Sequence, residues 1–421
     1  MPAKINETPA RPQVRLTEVD LLRFLAALAV VAYHYTGSTA GPWEGDESAR
    51  DMFGTVSLAT QFGFLGVELF FIISGFVILM SVWGRTMAQF AVSRIVRLYP
   101  AYWFAVLLIG AIYLTTGMGR GYPQDIIPNL TMFQTGMGVQ NANDVFWTLW
   151  IEMHFYALIA LLVLAGLTYQ RCVTFMASWT VLAIFAEESG NDFLYKILIP
   201  HYAPYFIAGM AFYLIYRFGS NIVLWGLVAF SWATSVRHAL PNAVDNPYSI
   251  PPADAWPAIP VLITLIYAVM ALVAIGALRK LNWKHLATLG ALTYPTYLIH
   301  HALGPVLARP LYPLLPLWAA LAVMTAIVLA AAYLIHRLIE RPLSRWLKPR
   351  LTNAFERIRL TEPGRTPTKR PRLPALTHRE TPPTTPNTRE PEPQTADGRT
   401  PQLQREEGHG STPSPPIGST I

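Results

Sequence analysis

Arg23 and His34 interrupt an otherwise apolar run, LLRFLAALAVVAYHY, and stand eleven residues apart. On an α-helix eleven residues make just over three turns, so both side chains fall on nearly one face, about 16 Å apart along the axis. Ala27 and Val30 lie on the stripe between them. A cation at one end of a narrow wall of small residues, with an imidazole deeper in, suits a ligand with an anionic head and an extended arm. Coenzyme A has that form, phosphates at one end and a thioester at the other. The same spacing also serves an Arg23 that snorkels to the headgroups and a His34 that sits in the far interface. Spacing alone leaves both readings open.

A second basic constellation is SRIVRLYP, Ser93 to Pro100, in which Arg94 and Arg97 are three apart and share a helical face. Two guanidiniums there have the geometry to fork onto phosphate oxygens, a task for which Arg exceeds Lys. Arginines at a cytoplasmic helix end are also what membrane orientation demands. Glu68 in GFLGVELFFIISGF and Glu152 in WTLWIEMHFY are carboxylates inside apolar runs. Each must be paired, hydrogen-bonded or protonated, so each is expected to pair with an arginine, to orient His34, or to tie two helices together. His300 and His301 are adjacent and project about 100° apart, so at most one is expected to face a given site. His336 and Glu340, at i,i+4, read as a local pair. With one cysteine, Cys172, and no helical histidine pair meeting a carboxylate, no metal site is expected.

These residues must be positioned by membrane helices. The chain has 421 residues, 52% hydrophobic and only 14% charged, against about 25% charged in soluble proteins. Runs of mostly apolar residues, each long enough or nearly so to cross a bilayer, lie near 18–37, 61–83, 97–116, 147–168, 172–187, 197–216, 221–237, 257–278, 286–308 and 317–338. The fold expected is an all-α polytopic membrane protein of about ten transmembrane helices, the first a retained span rather than a cleaved signal. The connections alternate in charge. One set holds Lys4, Arg11 and Arg15, then Arg85, Arg94 and Arg97, Arg171, Arg217, Arg279 with Lys280 and Lys284, and Arg337 to Arg350. The other holds little beyond Arg50, Arg120, Lys196, Arg237 and Arg309. By the positive-inside rule the first set is cytoplasmic, which puts both termini inside. The net charge of +7 thus reflects orientation in the cell membrane rather than nucleic-acid binding.

Three segments follow: a cytoplasmic arm over 1–16, a membrane domain over 17–350 and a tail over 351–421. The tail is rich in Pro, Thr, Arg and Glu and holds no aromatic residue after Phe355, so it cannot bury enough surface to offset its ordering entropy and is expected to be disordered. The polar stretches 117–143 and 238–256 are placed to cover an external mouth. No phosphate-binding Gly-rich loop and no repeat is present in the sequence, so nucleotide-driven transport is unsupported.

Six blocks in order, EVDLLRFLAALAVVAYHY, FGFLGVELFFIISGF, SRIVRLYPAYW, WTLWIEMHFY, YPTYLIHHAL and LIERPLSRW, resemble the acyltransferase-3 family of integral-membrane O-acyltransferases. That family includes acetylases of O-antigen and exopolysaccharide and macrolide O-acyltransferases. The resemblance covers residues 17 to about 347. It implies that Arg23 and His34 match the family's arginine and histidine separated by ten residues, and that Arg94 and Arg97 match its paired arginines. It also implies transfer of an acyl group, acetyl in the first instance, from cytoplasmic acyl-CoA to a hydroxyl. Glu68 departs from the family's usual Asp, and Met153-His154 from a more usual polar pair.

On this reading His34 and Glu152 are the catalytic candidates, His34 as general base or as the site of a transient acyl-histidine, and Glu152 to orient a catalytic or binding group. Arg23, Arg94 and Arg97 are the donor-binding candidates. The partners expected are acyl-CoA as donor co-substrate, a hydroxyl-bearing envelope carbohydrate or secreted small molecule, and membrane lipids. No permanently bound cofactor, metal or nucleic acid is expected. The rival from another class is a transporter or flippase of lipid-linked sugar, which would use the same buried charges as a relay. It does not account for the alignment of Arg23 with His34.

Overall fold

A computed structural model of the chain describes residues 16–361 apart from 44–46, 118–122, 245–249, 282 and 284. The N-terminal arm with Lys4, Arg11 and Arg15, the loop cations Arg120 and Lys284, and the tail beyond Thr361 therefore lie outside the described residues. All regular structure among the described residues is helical. Ten long helices stand where the apolar runs predict them: α1 Thr17–Ala32, α2 Gly66–Val82, α3 Met87–Thr116, α4 Trp147–Ala165, α5 Tyr169–Glu188, α6 Ala203–Phe218, α7 Ile222–Val244, α8 Pro252–Ala274, α9 Leu286–Leu311 and α10 Leu317–Ile335. An eleventh, α11, runs from Arg341–Thr361. Seven helical segments are each long and apolar enough to cross a bilayer, and the chain is a multi-pass membrane protein. The bodies of α5, α7 and α9 fall short of that measure. They carry polar and proline residues, among them Glu187, His238, His300 and Pro305.

Two boundaries differ from the sequence reading, each for a local reason. α3 starts at Met87, ten residues before the apolar run, because Thr86 and Gln89 close a capping box and start the helix in the polar segment. It ends at Gly117, whose left-handed backbone (φ 66°) suits glycine. The second difference is that the chain stays helical to Thr361, past the point where the tail was expected to begin. After Pro349 the next helix breakers are Pro363 and Gly364, so nothing in LTNAFERIRLT stops the helix.

Packing at the centre is between backbones. A Cβ placed on Gly209 of α6 would strike the Ile72 carbonyl of α2, and one on Gly75 of α2 would strike the Phe206 carbonyl of α6. Glycine on both faces lets these helices touch, as membrane helices do where small residues meet. Phe155 of α4 and Phe206 of α6 stack beside this contact with centroids 4.3 Å apart. α1 lies between α2 and α9. α11 docks on α3 through a specific bond: Pro100 has no N–H to give to the Val96 carbonyl, and the Ser344 hydroxyl donates to that oxygen at 2.9 Å.

Candidate active site

α1 has a cavity at each end. Near its start, Asp20 and Arg23 line a cavity of about 520 Å³ together with Arg97 of α3, His336, Arg337 and Arg341. Near its end, Val30 and His34 line a larger one of about 960 Å³ with Glu68, Tyr202, Tyr297 and His301. The pair expected to sit on one face of one helix thus faces two separate chambers. Ala27 and Val30, on the stripe between them, are both 1% exposed, so the wall there is closed by packing.

Each chamber borders a turn of π-helix, Tyr33–Gly37 beside the larger and His336–Glu340 beside the smaller. Such widened turns are frequent at functional sites because they redirect side chains and free backbone groups. In the first, Tyr35 donates to the His300 carbonyl at 2.7 Å and its own carbonyl accepts from Trp43 Nε1 at 2.7 Å. These bonds fix the turn that presents His34.

His34 makes no hydrogen bond to another described residue and is held by rings. Its centroid is 5.0 Å from Tyr33, 5.3 Å from His300 and 4.7 Å from His301. Of the two adjacent histidines only His301 lines the cavity, although both rings lie beside that of His34. They project about 100° apart, yet α9 packs so that His34 lies against the His301 ring edge-on and the His300 ring at a tilt. His301 lines the cavity, and His300 is fully buried behind it. His300 Nδ1 lies 2.8 Å from the Tyr297 carbonyl and so carries the proton, leaving a buried Nε2 without a partner among the described residues. Asn143 donates through Nδ2 to the Leu298 carbonyl at 3.0 Å, so its Oδ1, 3.1 Å from His301 Nδ1, accepts there. Tyr297 and Thr148 share a hydroxyl contact of 2.8 Å, bracing the same wall. The polar stretches expected over an external mouth do reach this chamber, through Asn141, Ala142, Asn242 and Ile250.

The two carboxylates separate. Glu68 lines the His34 chamber, and its Oε2 is buried without a hydrogen-bond partner among the described residues. Glu152 does not line that chamber. It accepts from Ser74 at 2.9 Å and belongs to the electrostatic surroundings of Arg23, with Arg97, Asp20 and Tyr156. Tyr156, one turn further along α4, also interacts with both Glu152 and Arg94.

The arginines separate too. Arg23 makes no salt bridge among the described residues and opens onto the smaller chamber. Arg97 opens there as well and holds Glu340 Oε1 at 2.6 Å, while His336 Nδ1 sits 2.9 Å from Glu340 Oε2. The His336–Glu340 pairing expected from spacing is therefore present, with Arg97 added to it. Arg94 does not line this chamber; its guanidinium lies 5.9 Å from the Tyr156 ring centre. Two cations that the sequence reading gave only to orientation, Arg337 and Arg341, do line it. The signal for Arg341 was available in LIERPLSRW, where it follows the paired Glu340 directly.

Arg23, Arg97, Arg337 and Arg341 gather guanidinium groups suited to anions around one opening, and the imidazoles around the other are of a type suited to proton transfer. A sequence model of the acyltransferase domain matches residues 16–337. The chain is similar to acyltransferase MdmB of Streptomyces mycarofaciens, 24% identical over 377 residues that cover 79% of this chain and 93% of that relative. It is also similar to nodulation protein 10 of Rhizobium leguminosarum bv. viciae, 25% identical over 317 residues, 67% of this chain and 81% of that relative. No solved structure matches it at a meaningful level. The domain match runs from the start of α1 through Arg337 and takes in the lining of both chambers except Arg341. The chain therefore belongs to the acyltransferase-3 family, whose members carry an acyl group from a donor to an acceptor within the membrane.

Proposed function

We propose that this protein takes an acyl group, acetyl in the first instance, from acyl-CoA at the cytoplasmic face and places it on a hydroxyl of an envelope carbohydrate or a secreted small molecule. The observation that carries this reading is the placement of Arg23 in the first half of α1 and of His34 in the π-turn that follows it, each opening into its own polar chamber. In this topology both termini are cytoplasmic and the ten long helices all span the membrane.

Arg23 and Arg97, with Arg337 and Arg341, bind the phosphates of the donor in the smaller chamber. Glu340 holds Arg97 in place and limits the excess of positive charge. Glu152 acts at one remove as a positioning residue, setting Arg23 directly and Arg94 through Tyr156. The pantetheine arm then runs beside the small residues of α1 towards His34. That passage requires the closed wall at Ala27 and Val30 to part when donor binds. His34 removes the proton from the acceptor hydroxyl as its oxygen attacks the thioester carbonyl. The carbon–sulfur bond breaks, the sulfur takes up a proton and free coenzyme A leaves on the side from which it came. His300, with Nδ1 bonded to a backbone carbonyl, stands with its ring 5.3 Å from that of His34 and braces it.

The test is a pair of measurements on the purified full chain. His34→Ala is expected to bind coenzyme A as the parent does and to lose acyl transfer by at least a hundredfold, in keeping with the usual worth of a general base. Near-normal turnover in His34→Ala removes the base from this site. Mass spectrometry of envelope glycans and secreted metabolites from cells with the parent and the variant then identifies the acceptor by its acyl increment.

A further inference from the structure

On another part of the molecule, Glu187 at the end of α5, His201 in the turn before α6 and His238 on α7 converge, with one potential ligand atom from each lying within 4.8 Å of the other two. His238 Nε2 is 3.1 Å from both Glu187 oxygens. The imidazoles of His201 and His238 have centroids 4.6 Å apart, tilted by 34°. His238 is buried, and its Nδ1 finds no hydrogen-bond partner among the described residues. Tyr195 presses on His201 at 5.6 Å, and Arg237, itself largely exposed, pairs with Glu187 at 2.8 Å.

We propose that Glu187, His201 and His238 form a binding site for a divalent transition metal of the zinc type. Two imidazoles and one carboxylate are a mixed nitrogen and oxygen set, which suits zinc and its neighbours and not the oxygen-seeking magnesium or calcium. With bonds of about 2.1 Å, ligand atoms of a tetrahedral zinc site stand about 3.4 Å apart. The contact of Glu187 with His238, at 3.1 Å, is within about 0.3 Å of that edge length. His201 lies in a turn rather than a helix, so a ring rotation closes the remaining gap, and water supplies the fourth position. Arg237 now neutralises the carboxylate from the outside and competes with the metal.

The site clamps α5, the turn before α6 and α7. It also reaches the reaction chamber through the chain: Tyr202, next to His201, and Asn242, one turn beyond His238, both line the cavity that holds His34. A bound metal fixes that wall.

The experiment uses the full chain, purified in detergent without a histidine tag and stripped by chelator. Titration with zinc is expected to give one saturable equivalent, and cobalt to give the visible absorption of a tetrahedral site, with a raised thermal midpoint. His201→Ala, His238→Ala and Glu187→Gln should each weaken zinc binding by at least about tenfold, whereas His285→Ala should not. Absence of a saturable equivalent, or binding unchanged in the three site variants, overturns the proposal. If those variants do not fold, Arg237→Gln decides, because removing an exposed competing cation should tighten zinc binding. Binding that stays unchanged or weakens in Arg237→Gln overturns it.

Discussion

At the scale of single residues the two chambers divide the arginines into classes. Arg23 and Arg97 face the smaller chamber, and Arg94 leans on Tyr156 instead. A hydrogen bond between charged partners contributes about 1.5–3 kcal/mol, and each 1.4 kcal/mol is tenfold in affinity. Arg23→Ala and Arg97→Ala should therefore weaken coenzyme A binding by roughly 10- to 100-fold, with Lys restoring only part because it lacks the fork. Arg94→Ala should weaken it by less than either. Calorimetric titration of coenzyme A into the three variants checks the order, and an equal loss in all three would return Arg94 to the chamber. Sequence spacing brought out Arg23, His34, Arg97 and the His336–Glu340 pair, because each relation lies within one helix or at its end. It missed the approach of His300 and His301 to His34, since that depends on how α9 crosses α1. It missed Glu187, His201 and His238 for the same reason, as 51 residues separate the carboxylate from its hydrogen-bonded imidazole.

At the scale of elements, apolar run length located all ten long helices, and the errors fell at their ends, where capping and breakers decide. The Thr86 capping box carried α3 ten residues into polar sequence, and the lack of a breaker before Pro363 carried α11 to Thr361. What run length does not contain is which helices touch. The α2–α6 contact rests on Gly75 and Gly209, two ordinary glycines in the sequence. Adding a methyl group at Gly209 forces it into the Ile72 carbonyl, so Gly209→Ala should destabilise the protein by about 1–3 kcal/mol. Gly226 of α7 has nothing within 4 Å of a Cβ, so Gly226→Ala should leave the thermal midpoint unchanged or slightly higher. Thermal denaturation of both variants in one detergent separates them, and an equal midpoint would mean that α2 and α6 are not held by this contact.

At the scale of the whole molecule the proposed reaction has a direction. In sealed vesicles of known orientation, acyl-CoA on the cytoplasmic face should support acylation, with free coenzyme A released on that same face. Acylation supported only by donor on the opposite face would overturn the arrangement. Movement of intact substrate without acylation would favour a transporter. Truncation after Thr361 should leave this activity unchanged, because the removed segment lies beyond the family match and beyond the contacts of α11 with α3.

The packed stretch of α1 at Ala27 and Val30 also determines where a membrane voltage acts. In the proposed topology the two polar chambers open to opposite sides of the membrane, and an applied potential would fall over this short partition rather than evenly across the bilayer. Each elementary charge carried through it against 100 mV costs about 2.3 kcal/mol. On the proposed reaction, coenzyme A is an anion inside a cell that is negative inside, so the voltage would draw it outwards through any opening, whereas an acetyl group crosses as a neutral body on which the voltage does no work. On that reading it is the packing at Ala27 and Val30, and not the donor's charge, that keeps the donor inside, while transfer of the neutral acyl group stays independent of the membrane potential.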